Sequence, residues 1–323
     1  MSAAAPPKPL VSVIIPTHAR RALLERLLDS LLAQDWPHES AEIIVVHNHT
    51  PDGTEEMVRA RIPVSPVALH YHRTAFNRPG PSRQFGAERA QGAVLAFIDD
   101  DCIATPGWIA AGVRALAAGH ALVQGRTIPH PAQPRRLLEK TMQVEGPSIF
   151  FETCNIFYDA AAFRAVGGFP VEFRALKSSE DTSLGWAIRA AGRSTGYTAE
   201  ALVHHEVFAV GLRAWLRAVE IVEVIPLVAR RYPAMRAALF WRYFLSAQTA
   251  AFNAFAVGAI GGSLLHPSIF AACLPYVWLR FTDRGRFTRP HFLLARFVCG
   301  MPRAALMAAW LVRGSWRARS VVL

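Results

Sequence analysis

The sequence is short of cysteine, of acid in its last third, and of charge in one long stretch. Its four cysteines, Cys102, Cys154, Cys273 and Cys299, form no C-x-x-C pair and stand at no zinc-ligand spacing from a histidine. They are expected to be reduced, buried thiols of a chain facing the cytosol. The opening residues MSAAAPPKPL hold no apolar stretch of signal-peptide type, which again predicts the cytoplasmic side. Residues 210–323 carry 3 Asp and Glu against 15 Lys and Arg, whereas residues 1–209 carry 21 against 20. From Tyr243 to Leu279 there is no Asp, Glu, Lys or Arg at all. A near-neutral body joined to a basic, apolar tail predicts attachment to a membrane surface. The arginines flank apolar runs and make no continuous polar stripe, which argues against nucleic acid as the partner. No internal repeat or low-complexity stretch is visible beyond the first ten residues.

What is present alternates. Leu10–Ile15 (LVSVII) is a β-branched run of the kind that forms a buried strand, and Arg20–Gln34 places leucines at helical spacing. Glu42–Val46 is a second strand, Thr54–Ala60 a helix, Val67–Tyr71 a weak strand, Ser82–Ala90 a helix and Ala93–Ile98 (AVLAFI) the clearest strand. Thr105 is expected to cap a helix with Pro106 in its first position. Phe150–Phe157 reads as a strand, Ala160–Val166 as a short helix closed by Gly167-Gly168, and Ser179–Ala191 as a helix closed by Gly192. This β-α-β-α-β order predicts an α/β fold, a mostly parallel sheet with flanking helices, whose ligands bind beyond the carboxyl ends of the strands. The expected division is a flexible N-terminus at 1–9, a catalytic domain at 10–206, amphipathic interfacial helices at 207–236, and a membrane hairpin with a basic interfacial tail at 237–323. In the hairpin, Gly261-Gly262 and Pro267 would separate two apolar helices, spanning or re-entrant, with both ends on the cytoplasmic face of the cell membrane.

Three clusters could carry chemistry. Asp99-Asp100-Asp101 ends the strand AVLAFI, and three adjacent carboxylates repel one another unless a cation neutralises them, so they suit Mg²⁺ or Mn²⁺. A solvated acidic turn is the plainer alternative. Glu180-Asp181 opens a helix behind Ser178-Ser179, where acids are common for dipole reasons alone; a carboxylate there could also serve as a general base. His204-His205 follows an apolar strand-like run and could pack or ligate.

The order VSVIIPTHAR, IIVVHNHTPDGT, GPSRQFGAERAQGAVLAFIDDD, AVGGF, SEDTSLGWAIRAAG, ALVHH resembles the family 2 inverting glycosyltransferases of GT-A fold, from about Leu10 to His205. The resemblance implies a nucleoside-diphosphate sugar donor and a divalent cation. It places Thr17, Arg20, His47, Asn48, Arg83, Asp99 and Asp100 on the donor, Asp101 and His205 on the metal, and Asp181, beside Glu180, as the base. Two departures stand out: Gln84 follows Arg83 where the family usually has Asn, and His47-Asn48-His49-Thr50 replaces an acidic segment that reads the base of the nucleotide. The Q-x-x-R-W motif of processive members is absent, which implies a single transfer. With the apolar tail, a lipid-linked or cell-envelope glycan acceptor is expected. The rival readings are a nucleotidyltransferase-like enzyme, for which PTHAR lacks the glycine-rich loop, and a degenerate, non-catalytic scaffold, which His47 favours and the intact acidic motifs disfavour.

Overall fold

The computed structural model describes residues 10–48, 50–76, 78–170, 179–282 and 290–323, with backbone alone over 290–297. The expected flexible stretch 1–9, His49, Ser178, Arg284, Arg286 and Arg289 lie outside the described residues. The chain divides into two compact units, Met1–Gln133 with Thr141–Val207, and Pro134–Lys140 with Phe208–Leu323.

In the first unit the chain runs β1 (Val11–Thr17), α1 (Arg21–Leu32), β2 (Ala41–Asn48), α2 (Thr54–Arg61), β3 (Ala68–Thr74), α3 (Pro79–Arg89), β4 (Val94–Ile98), β5 (Cys102–Ala104), α4 (Trp108–Ala117) and β6 (Leu122–Pro129). A two-residue strand of the second unit, β7 (Glu139–Lys140), intervenes. Then follow β8 (Asn155–Asp159), α5 (Ala160–Ala165), α6 (Glu180–Ala190) and β9 (Thr195–His205). Eight strands form one sheet in the order β3-β2-β1-β4-β8-β6-β9-β5. β3, β2, β1 and β4 are parallel neighbours, β6 runs parallel to β9, and β8 and β5 are antiparallel to their partners.

β1 is buried at every residue, which its sequence VSVIIPT makes favourable. Pro16 is tolerated because β4 pairs only with Val11–Ile14; at Pro16 that side of the strand asks for no donor. The chain leaves β1 toward β2 and β3, then returns to the other side of β1 with β4. The ends of β1 and β4 therefore flank the point where strand order reverses, the place where such sheets open a crevice. α3 lies close over β1: a Cβ at Gly86 would fall 2.6 Å from Ile14 Cγ2, so only glycine permits that approach.

Some expected elements differ. Gly107, not Thr105, occupies the position before α4, and Thr105 Oγ1 donates to the Leu202 carbonyl at 3.0 Å instead of capping. The strand expected over Phe150–Phe157 begins only at Asn155, because Phe151 has φ +53°, a left-handed conformation no strand accommodates. The ladder between β6 and β9 slips: Gly125 pairs with Thr198 but Arg126 pairs with Leu202, leaving Ala199, Glu200 and Ala201 looped out. Asn155 fastens this bulge, its side-chain amide donating to the carbonyls of Arg126 and Ala201, both at 2.8 Å.

The second unit pairs β7 with β10 (Phe208–Ala209) and is otherwise helical: α7 (Leu212–Arg217), α8 (Ile225–Arg231), α9 (Ala247–Leu264), α10 (Leu274–Thr282) and α11 (Pro290–Ala318), joined in part by 3₁₀ turns. Among the described residues no helix is long and apolar enough to cross a membrane. The two arms expected here differ from the expectation in two ways. α9 runs through Gly261-Gly262 and stops before His266, whose side chain accepts from Ser268 N–H, and it carries Gln248 and Asn253. The second arm is a 3₁₀ stretch, Pro267–Cys273, followed by the nine residues of α10. Over its described residues, at about 1.5 Å per residue, α10 reaches roughly 14 Å, half of a hydrocarbon core.

Candidate active site

The turn after β1 is held by the loop after β2. Ala19 takes φ +53°, its N–H donates to Thr50 Oγ1 at 3.2 Å, and Arg21 N–H donates to Asp52 at 3.3 Å. This aims Arg20 across the crevice, where Nη1 lies 2.8 Å from both Asp100 Oδ1 and Asp101 Oδ2. Burial pushes the Asp100 carboxyl up to about 6, against the pull of Arg20. Arg20 is thus one positive charge placed on a triplet whose members would otherwise repel.

Arg83 is the second. It rises from α3 almost fully buried, donates Nη2 to Asp99 Oδ1 at 2.5 Å, and reaches Glu180 Oε1 with Nη1 at 3.4 Å. Burial opposes its charge, but Asp99 and Glu180 hold the guanidinium protonated above its ordinary range. The planar fork lets one side chain serve both carboxylates. It ties the acidic end of β4 to the start of α6, elements far apart in sequence. Asp181, next on α6, accepts from its neighbour Thr182 N–H at 2.7 Å. Burial, then the Glu180 carboxylate, push its own carboxyl well above the usual range, while Arg83 opposes. An acid held this way takes up a proton readily, as a general base must.

At the other side of the triplet, Asp101 Oδ1 is buried and has no hydrogen-bond partner, and His205 Nε2 lies 3.4 Å from it. His205 Nδ1 faces the Glu206 carbonyl at 2.8 Å; a carbonyl only accepts, so Nδ1 carries a proton, and the neutral ring in that tautomer presents a lone pair at Nε2. With the ring neutral, two acceptors face one another, an arrangement that fits a divalent cation between them. β5 brings Cys102 opposite His205, so Asp101, Cys102 and His205 gather with ligand atoms within 4.8 Å of one another. Burial pushes the Cys102 thiol well up, and its Sγ faces the Cys154 carbonyl at 3.7 Å. Hard Mg²⁺ or Mn²⁺ would draw on Asp101 and His205 and leave the thiol aside. His204 instead faces away with His130, ring centroids 5.7 Å apart.

The structure therefore brings together Arg20, Arg83, Asp99, Asp100, Asp101, Glu180, Asp181 and His205. Thr17 is buried at the end of β1. Asn48, at the end of β2, offers its carbonyl to His18 Nδ1 at 3.1 Å. His47 is fully buried, with Nδ1 2.8 Å from Tyr71 Oη and Nε2 3.4 Å from Thr50 Oγ1, so reading a base directly would require giving up one of these contacts. Sequence reasoning missed Cys102 and Glu152. Glu152, whose carboxyl burial raises, accepts from Gln124 at 2.5 Å and Ser148 at 2.9 Å and lies in the field of Asp181. The adjacency of Cys102 to the acidic triplet was the one available signal.

Comparison with known proteins identifies the family. The chain is 30% identical over 222 residues to the validoxylamine A glucosyltransferase of Streptomyces hygroscopicus subsp. jinggangensis, a match covering 57% of this chain and 52% of that protein. It is 29% identical over 122 residues, 37% of this chain and 38% of the relative, to the GalNAc(5)-diNAcBac-PP-undecaprenol beta-1,3-glucosyltransferase of Campylobacter jejuni. The matches thus span about half or less of these relatives' own lengths. The mannosyltransferase of Pyrobaculum calidifontis, solved with GDP-Man and Mn²⁺, superposes with a TM-score of 0.60 at 17% identity, over 97% of this chain and 87% of that one, which establishes the fold. The profile of Glycosyl transferase family 2 matches residues 12–177, just over half of the sequence, so this chain belongs to glycosyltransferase family 2 and is a glycosyltransferase.

Proposed function

We propose that this enzyme moves one sugar from a nucleoside-diphosphate sugar to an acceptor hydroxyl by a single in-line displacement, with inversion. The observation that carries this reading is Arg83, which joins the acidic end of β4 to Glu180-Asp181 and so puts a donor-holding cluster and a candidate base in one site. Asp181 takes the proton of the acceptor hydroxyl as that oxygen attacks the anomeric carbon. Glu180, paired with Arg83, keeps α6 in register and raises the basicity of Asp181. Arg20 and Arg83 hold the triplet Asp99-Asp100-Asp101 in place, Thr17 and Asn48 stand at strand ends on the nucleoside side, and His47, buried beside Asn48, would reach the base only by giving up Tyr71 or Thr50. Mg²⁺ or Mn²⁺ held by Asp101 and His205 would supply positive charge at the leaving diphosphate. The donor class is supported by the GDP-Man bound to the Pyrobaculum enzyme.

The second unit supports a reading of the acceptor. Trp241, Leu264, Leu265, Trp278 and Trp316 are each largely exposed, on a unit whose charge is overwhelmingly basic. Exposed aromatic and aliphatic side chains among arginines suit the anionic cytoplasmic face of the cell membrane. A lipid-linked or cell-envelope glycan acceptor fits that placement, and the Campylobacter relative is named for an undecaprenol-linked one. The test is a donor panel, with GDP-, UDP- and dTDP-sugars incubated with lipid-linked acceptors and products read by mass spectrometry. Transfer should stop with EDTA and return with Mn²⁺ or Mg²⁺. Turnover that EDTA leaves unchanged would remove the cation from the scheme.

A further inference from the structure

The strand ladder makes Cys102 the residue directly opposite His205. In an antiparallel pair, opposed residues project from the same face with Cβ atoms about 4.5–5.5 Å apart. Asp101, whose Oδ1 is buried and unpartnered, completes a group of three buried side chains whose ligand atoms lie within 4.8 Å of one another. The separation of Asp101 Oδ1 and His205 Nε2, 3.4 Å, is already that of two ligands on one tetrahedral ion with bonds of about 2.0–2.1 Å. The thiol's own contact, to the Cys154 carbonyl at 3.7 Å, is weak and easily given up. An oxygen, a nitrogen and a sulfur at this spacing are a poor set for Mg²⁺ and a good one for Zn²⁺ or Cd²⁺.

We propose that Asp101, Cys102 and His205 form a three-ligand site for a soft or borderline divalent ion, Zn²⁺ or Cd²⁺, which displaces the hard ion of the transfer site and holds the enzyme in an inhibited state. On binding, the Cys102 S–H proton passes to solvent as the sulfur–metal bond forms, with no change of oxidation state. The fourth position stays open to water. The inhibitory consequence rests on the transfer reading above; the ligand set does not. Soft-ion inhibition would then be competitive with Mn²⁺ and set by one thiol.

The experiment is spectroscopic. The full chain, stripped of metal, is titrated with Co²⁺ and with Cd²⁺, and the ultraviolet band of thiolate-to-metal charge transfer is followed. Zn²⁺ and Mn²⁺ affinities are measured by competition. Wild type should show the band; Cys102→Ser and Cys102→Ala should lose it, and Cys154→Ser should keep it. Cys102→Ser should lower the preference for Zn²⁺ over Mn²⁺ by at least about tenfold, the low end of what one lost interaction costs a metal site. Absence of the band in wild type, which needs no variant to fold, overturns the proposal, as does a band that survives Cys102→Ser. The spectrum requires neither donor nor acceptor. A chain with the band but no sugar transfer therefore refutes the proposed function alone, and one that transfers sugar with Mn²⁺ but lacks the band refutes the soft-ion site alone.

Discussion

Replacing Asp181 by Asn separates chemistry from stability in one variant. The amide oxygen can still accept from Thr182 N–H, so the start of α6 is kept, but no proton can be taken from an acceptor. General-base catalysis is worth about 10²–10⁴-fold, so turnover should fall by at least that lower figure while calorimetry shows donor binding little changed. Stability should move the other way. Burial and Glu180 raise the Asp181 carboxyl in the folded state above its unfolded value of 3.8, so the native state binds the proton more tightly than the unfolded one. The folded form therefore loses relative stability as pH rises from about 4 toward the raised value, and Asn removes that loss. Every tenfold by which folding tightens proton binding is worth about 1.4 kcal/mol. A gain of that size raises the melting temperature of a domain of this size by roughly 3–6 °C. Melting curves of both proteins at pH 4 and pH 8 check it: the two should melt alike at pH 4, and the variant later at pH 8. Turnover within tenfold of wild type would remove Asp181 as the base. A variant that melts earlier than wild type at pH 8 would show that its carboxylate is stabilised, not strained, by its surroundings.

Arg83→Met should cost about 3–5 kcal/mol in urea unfolding, because Asp99 and Glu180 are left without their shared counter-charge; Arg83→Lys should recover only part, since an ammonium lacks the fork that reaches both. His47→Asp tests donor reading: a charge-assisted bond to the base should favour UDP over GDP and dTDP by roughly tenfold in calorimetry. Unchanged selectivity with a lower melting temperature would make His47 a packing residue, as its burial and its contacts with Tyr71 and Thr50 favour. The protein should sediment with vesicles containing anionic phospholipid and less with neutral ones, an attraction weakened by salt; equal recovery in the supernatant with both would remove the membrane surface as a partner.

The strands nearest the crevice were legible because they are buried on both faces. VSVIIPT and AVLAFI are dominated by apolar residues, and Asp99–Asp101 is a carboxylate cluster at the end that the second run defines. β6 and β9 were not legible: LVQGRTIP and TGYTAEALVHH mix Gln, Arg, Thr and Glu into strands stabilised by partners far away in sequence. The Arg83 fork was invisible for the same reason, since nothing local connects residue 83 with residue 180. In the tail, a lack of charge suggests helices long enough for a membrane. The break expected at Pro267 is there, but the proline starts a 3₁₀ stretch, Pro267–Cys273, where a second long α-helix was expected, and a lack of charge does not distinguish the two.

The bulge in β9 decides which of two adjacent histidines meets the acidic triplet. Adding or removing a residue at Ala199 or Glu200 changes only the size of the looped-out segment, because Asn155 grips the Ala201 carbonyl beyond it. The same change after Leu202 slips the ladder by one, turns His205 to the opposite face and sets another residue across from Cys102. Length variation is thus absorbed on one side of Asn155 and forbidden on the other, so a single side-chain amide marks where this strand can be edited and where it cannot.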